Sequence, residues 1–97
     1  MRRFSFAPDA EAELEEAAHY YDARAAGLGQ AFLEEVRSAV EAVLSHPEAA
    51  PVVRGTIRCK TIRRFPYNLL YSIEPDRIRI HVVMHKRRRP GYWIDRL

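Results

Sequence analysis

The spacing of the apolar residues changes once along this chain, and that change sets the fold class. Between residues 8 and 45 they recur every third or fourth position, as Ala10, Leu14, Ala17, Tyr21 and Ala25, then as Leu28, Phe32, Val36, Ala39, Val40 and Val43. Such spacing gathers them on one stripe of a helix. From Thr56 to His85 they recur every second position, the signature of strands with one covered face. Two blocks of different period make an α+β domain: a helical hairpin packed by its apolar stripes on one face of an antiparallel sheet. A chain of 97 residues can bury one such core and not two, so residues 1–97 are expected to form a single domain.

The punctuation supports the same order. Phe4 and Phe6 alternate with Arg3 and Ser5, which predicts a short opening strand. Pro8 suits a first helical turn, and Asp9, Glu11 and Glu13 complement its positive end, so the first helix should run from Pro8 to Ala25. Gly27 is suited to the left-handed conformation that closes a helix, and Gly29 leaves little room before the second helix, which His46-Pro47 stops. Ile57, Cys59 and Thr61 then alternate with Arg58, Lys60 and Ile62 until Phe65-Pro66. Tyr67, Leu69, Tyr71 and Ile73 share a face of the next strand, Glu74-Pro75-Asp76-Arg77 makes a turn, and Ile78, Ile80, Val82 and Met84 line the last. The expected order is β-α-α-β-β-β.

Charge divides the chain more sharply than its net value of +3 suggests. Residues 1–47 carry four cations against nine carboxylates, a balance of −5, whereas residues 48–97 carry twelve against four, a balance of +8. A partner that meets the second half is therefore expected to be phosphate-bearing or acidic. If the tyrosine and isoleucine sides of the last three strands face the helices, the opposite side gathers Arg58, Lys60, Ile62, Arg64, Asn68, Leu70, Ser72, Arg79, His81, Val83 and His85. The apolar Ile62, Leu70 and Val83 among those cations favour a protein partner over bare phosphate. Beyond them, Lys86-Arg87-Arg88-Arg89 runs into Pro90, Tyr92 and Trp93, a stiff joint followed by amphipathic anchors. His19 and His46 read as solvated or structural. His81 and His85, four residues apart on one expected face, would lie about 13 Å from each other, too far to flank one phosphate.

Other chemistries are excluded. Cys59 is the only cysteine, so no internal disulfide and no cysteine-based zinc site can form, and it reads as a small buried hydrophobe. No metal and no cofactor is expected. The chain lacks a run of about 18 apolar residues and an apolar leader, which predicts a cytoplasmic protein with no membrane partner.

Several stretches in order resemble one family over nearly the whole chain. They are Ala7-Pro8-Asp9-Ala10 with Glu13-Leu14, Tyr20-Tyr21, Gly27-Leu28-Gly29-Gln30-Ala31-Phe32-Leu33, His46-Pro47, Arg63-Arg64-Phe65-Pro66-Tyr67-Asn68-Leu69-Leu70-Tyr71, and His85-Lys86-Arg87-Arg88-Arg89-Pro90-Gly91-Tyr92-Trp93. Together they resemble the RelE/ParE superfamily, small bacterial toxins of type II toxin–antitoxin modules that include plasmid stabilisation proteins. The resemblance implies a toxin neutralised by a cognate antitoxin that wraps an extended or helical segment over the sheet and helices. It leaves two targets. RelE-like members cut mRNA on the ribosome without a metal, and by position that activity would fall to Arg58, Lys60, Arg64, His85, Arg87 and Tyr92. ParE-like members inhibit DNA gyrase without catalysis. The glycine-bounded hairpin and the motif from His85 onward look more like ParE-like chains, which favours gyrase. On that view Ile62, Leu70, Arg79, His81, Val83, His85, Arg87, Arg88, Arg89, Tyr92 and Trp93 would bind target or antitoxin. A third possibility, a basic nucleic-acid-binding module without toxicity, rests only on the charge and the sequence pI of 9.4.

Overall fold

The structure is a computed structural model that describes residues 3–97. Its elements are β1 (Arg3–Phe6), α1 (Pro8–Arg24), α2 (Leu28–Ser45), β2 (Val52–Arg54), β3 (Ile57–Thr61), β4 (Tyr67–Ile73), β5 (Arg77–His85) and a closing 3-10 turn at Ile94–Arg96. Five strands form one sheet in the order β1-β5-β4-β3-β2. β3, β4 and β5 pair antiparallel as expected, and β1 joins parallel to β5 with Phe6 opposite Ile80, so the sheet is mixed. The three-residue β2 is an addition. It pairs with β3 across Gly55, whose positive φ of 54° turns the chain.

Both helices lie on one face. Their hairpin is held tight at Gly27, in the left-handed region at φ 83°, and at Gly29, whose amide donates to the Asp22 carboxylate at 2.8 Å. A Cβ at Gly29 would stand 2.4 Å from the Ala18 carbonyl oxygen, so only glycine permits this approach. α1 buries only Ala10 and Ala17 fully, and these small side chains bring it close to the sheet. α2 buries Phe32, Val36, Ala39, Val40 and Val43. Under them lie Ile62, Phe65, Leu69, Tyr71, Ile78, Ile80 and Val83. Tyr21, Phe32, Phe65 and Tyr67 pack edge to face or tilted, with centroids 4.8 to 5.4 Å apart in four of their pairs.

Two register features correct the expected faces. In β3, Arg58 stands opposite Tyr71 and Lys60 opposite Leu69, so both belong to the helix-bearing side. In β5, Tyr71 pairs with Ile80 and Leu70 with Val82, which leaves His81 as a bulge with no register partner in β4. Alternation restarts after it. Val82 turns to the far face, Val83 joins the helix-side core, and His85 packs against Tyr67 on that same side. His81 and His85 therefore do not share a face.

The far face is not open either. After β5 the chain turns through Gly91, at φ 75°, and lays Trp93 on Ile57, Leu70 and Val82, forming a second small core that Cys59, Met84, Tyr92 and Ile94 border.

Candidate functional site

Tyr67 at the start of β4 registers opposite His85 at the end of β5, so the loop entering one strand lies beside the loop leaving the other. The Lys86 amide donates to the Pro66 carbonyl at 2.8 Å and joins them. In the first loop the Ile62 amide donates to the Tyr67 carbonyl, Phe65 turns into the core, and Arg64 takes a left-handed φ of 70° with its guanidinium over the Phe65 ring. Left-handed backbone costs a side-chain-bearing residue roughly 1–2 kcal/mol, and burial of Phe65 offsets it. In the second loop Nδ1 of His85 accepts the Arg87 amide at 3.0 Å, so a neutral His85 carries its proton on Nε2.

Six exposed cations result: Arg63, Arg64, Lys86, Arg87, Arg88 and Arg89. Among the described residues, none of the six is in an ion pair. Beside them a cleft of about 260 Å³ runs between α1 and the end of β5, walled by Glu13, Glu16, Tyr20, Tyr67, His85, Arg88 and Tyr92. The Tyr92 hydroxyl donates to Glu13 at 2.7 Å, and the Arg88 guanidinium lies 3.9 Å from the Tyr92 ring centroid. Burial first, and then the Glu13 hydrogen bond and charge, push the Tyr92 hydroxyl far above its ordinary range.

The six residues expected for RNA cleavage do not converge. Arg64, His85 and Arg87 share the basic end, and Tyr92 stands across the cleft with its proton held. Arg58 donates to the Glu48 and Ala50 carbonyls at 3.0 and 2.7 Å, tying the segment after α2 to β3. It registers four residues along β4 from Tyr67, about 13 Å away, and Lys60 registers two residues along, about 7 Å away. Both are two strands from β5.

The expected binding residues also divide. Ile62, Leu70, Val83 and Trp93 are buried, between 1 and 6% exposed, so they build the two cores instead of an apolar partner surface. Arg79 donates to the Ser5 hydroxyl at 3.0 Å and weakly to the Phe6 carbonyl, fastening β1. His81 shares a 2.8 Å hydrogen bond with the Ser72 hydroxyl, and burial lowers its pKa. Arg87, Arg88 and Arg89 are exposed, whereas His85 and Tyr92 are half-buried.

Two features escaped the sequence. Arg63 and Lys86 join the basic end, signalled only by their neighbours in cationic runs. The second feature is an apolar groove of about 820 Å³ between β1 and α2, lined by Phe4, Phe6, Leu14, Leu33, Val36, Val40 and Leu44, with Arg37 and Glu41 also on its wall. Its signal was Leu33 and Leu44, which lie off the main stripe of α2.

The family model of the ParE toxin of type II toxin–antitoxin systems, parDE, matches residues 4–90. The chain belongs to the ParE toxin family. Among solved structures, a chain described as the chromosomal ParDE TA system from P. aeruginosa superimposes with a TM-score of 0.65 at 19% identity, covering 88% of this chain and 96% of that one, so the two share a fold. The comparison with curated proteins gave no match. Family membership makes this chain the toxin component of a type II module and implies a cognate antitoxin as its partner. No helix among the described residues is long and apolar enough to cross a membrane.

Proposed function

We propose that this ParE-family toxin arrests DNA gyrase by binding and not by catalysis, through the basic end of the sheet. The observation that carries this reading is the pairing of the 62–66 and 86–90 loops, which concentrates six cations that make no ion pair among the described residues, while the groups needed to cut RNA stay apart. Cleavage would need a base, a cluster of cations and an acid around one phosphate. Here the Tyr92 proton is tied to Glu13 and the Arg58 guanidinium is engaged by carbonyls. Binding needs only the exposed charge. The groove between β1 and α2 fits the antitoxin: β1 is an edge strand, Phe4 is 47% exposed, and an apolar segment laid there would cover both.

Removing residues 86–97 would also remove Trp93 from the second core, so charge replacement is the cleaner test. An Arg87→Gln, Arg88→Gln, Arg89→Gln variant should need a roughly tenfold higher concentration to trap cleaved plasmid in a purified gyrase assay, since rim charges govern association. Unchanged potency would overturn the assignment of this end as the target surface. Primer extension on ribosome-bound mRNA should give no cuts with the wild-type chain. Site-specific cuts that vanish in Arg64→Ala or His85→Ala would establish the endonuclease alternative in its place.

A further inference from the structure

We infer that Glu13, on the acidic first helix, is the positioning residue for the basic carboxy-terminal segment, and that the target surface exists only while this clamp is closed. The inference rests on the proposed role of the 86–90 loop. Its own ground is the geometry of one side chain. Glu13 Oε1 accepts the Val83 amide at 3.0 Å and Arg96 Nη2 at 3.1 Å, and Oε2 accepts the Tyr92 hydroxyl at 2.7 Å and the same Arg96 nitrogen at 3.2 Å. A single carboxylate thus takes one donor from β5 just past the bulge and two from the tail.

The place explains the need. β1 stops at Phe6, opposite Ile80, so beyond that point the edge of β5 has no strand beside it. The Val83 amide would otherwise lie unpaired at that edge, and Glu13 supplies its acceptor from the next turn of α1. The ion pair with Arg96 is largely sheltered, its side chains 22 and 16% exposed, and Asp9, one turn earlier, adds a second carboxylate 3.8 Å from Arg96 Nη1. Along the chain, the residues it controls lie between the end of β5 and Arg96. Tyr92 carries Arg88 on its ring, and Trp93 fills the far-face core. Opening the clamp therefore releases the segment that presents Arg88 and orders the turn around it.

Trp93 is the only tryptophan, so its fluorescence reports the tail directly. Glu13→Ala keeps a strong helix former in α1 and removes all four bonds that Glu13 accepts, leaving Arg96 only the longer approach to Asp9. Its Trp93 emission should shift to the red and quench more readily with acrylamide. Hydrogen exchange at the Ile94 and Arg96 amides should quicken roughly tenfold or more, as expected when charge-assisted bonds that hold a local structure are lost. Amides inside α2 should keep their protection, which separates loss of position from loss of fold. Gyrase trapping should weaken at least as much as in the triple arginine variant. Glu13→Gln, which still offers an acceptor to Val83 but only a donor pair at the second atom, should fall between wild type and alanine, and Arg96→Met should reproduce the tail effects from the other side. A docked, unquenched Trp93 in Glu13→Ala would overturn the inference. So would a freed tail with undiminished trapping. A wild-type chain that traps no gyrase would defeat the proposed function instead, while the fluorescence and exchange results would still decide the clamp.

Discussion

Replacing Gly29 with alanine sets two physical effects against each other with opposite signs. Gly29 is the second residue of α2, and inside a helix alanine is favoured over glycine by about 1 kcal/mol. Propensity alone predicts a more stable protein. The structure predicts the reverse, because the new Cβ would lie 2.4 Å from the Ala18 carbonyl oxygen and 2.6 Å from the Asp22 carboxyl carbon. The first obstacle is backbone, so α1 and α2 must part, and overpacking of this kind costs about 1–3 kcal/mol. Parting them also breaks the 2.8 Å bond from the Gly29 amide to Asp22, which acts as a cap supplied by the preceding helix and is worth about 1 kcal/mol. The net expectation is a loss of about 1–3 kcal/mol, or roughly 5–20 °C in Tm for a domain of this size. Urea unfolding followed by circular dichroism measures it. A Gly29→Ala protein as stable as the wild type, or more so, would refute the close approach of the two helices.

Two further outcomes follow from burial. Ile62→Ala should cost about 2–5 kcal/mol in the same urea experiment, because Ile62 is 2% exposed within the core, whereas Arg63→Ala next to it should stay within about 0.5 kcal/mol. For His81, burial lowers the pKa below 6.5, with Arg79 and Arg96 adding to that effect and Glu74 opposing it. On acidification the unfolded chain takes up this proton before the folded one does. The stabilisation is therefore complete above about pH 6.5 and is lost as pH falls through the lower folded-state value. Stability should decline between about pH 7 and 5.5 in the wild type and decline less in His81→Gln; equal slopes would refute the assignment.

Most elements were legible because each carries a local signal. Pro8, the glycines at 27 and 29 and His46-Pro47 bound the helices, and β4 and β5 keep near-strict alternation. What escaped was set by long-range contact. The run from Ile78 to Met84 reads equally well in either phase, because Val82 and Val83 are both apolar, so nothing local marks His81 as surplus. Arg58 and Lys60 looked like outward residues because they are charged. β3 lies near the sheet edge, where its helix-side positions reach the segment after α2, and Arg58 finds carbonyls there. Trp93 looked like an anchor for a partner, and its partner is the chain's own far face. The basic end was visible as composition. Its assembly from two loops required the register of Tyr67 with His85.

The unpaired His81 makes β5 two half-strands in opposite phase. Before it, even-numbered residues look toward the helices; after it, odd-numbered ones do. Were His81 to take a regular place in the ladder instead, all that follows would change sides: Val83 would point away from α1, Val82 would leave Trp93 without its floor, and His85 would leave Tyr67. One supernumerary position thus lets a nine-residue strand serve the helical layer with its first half and still offer a seat for the tail with its second.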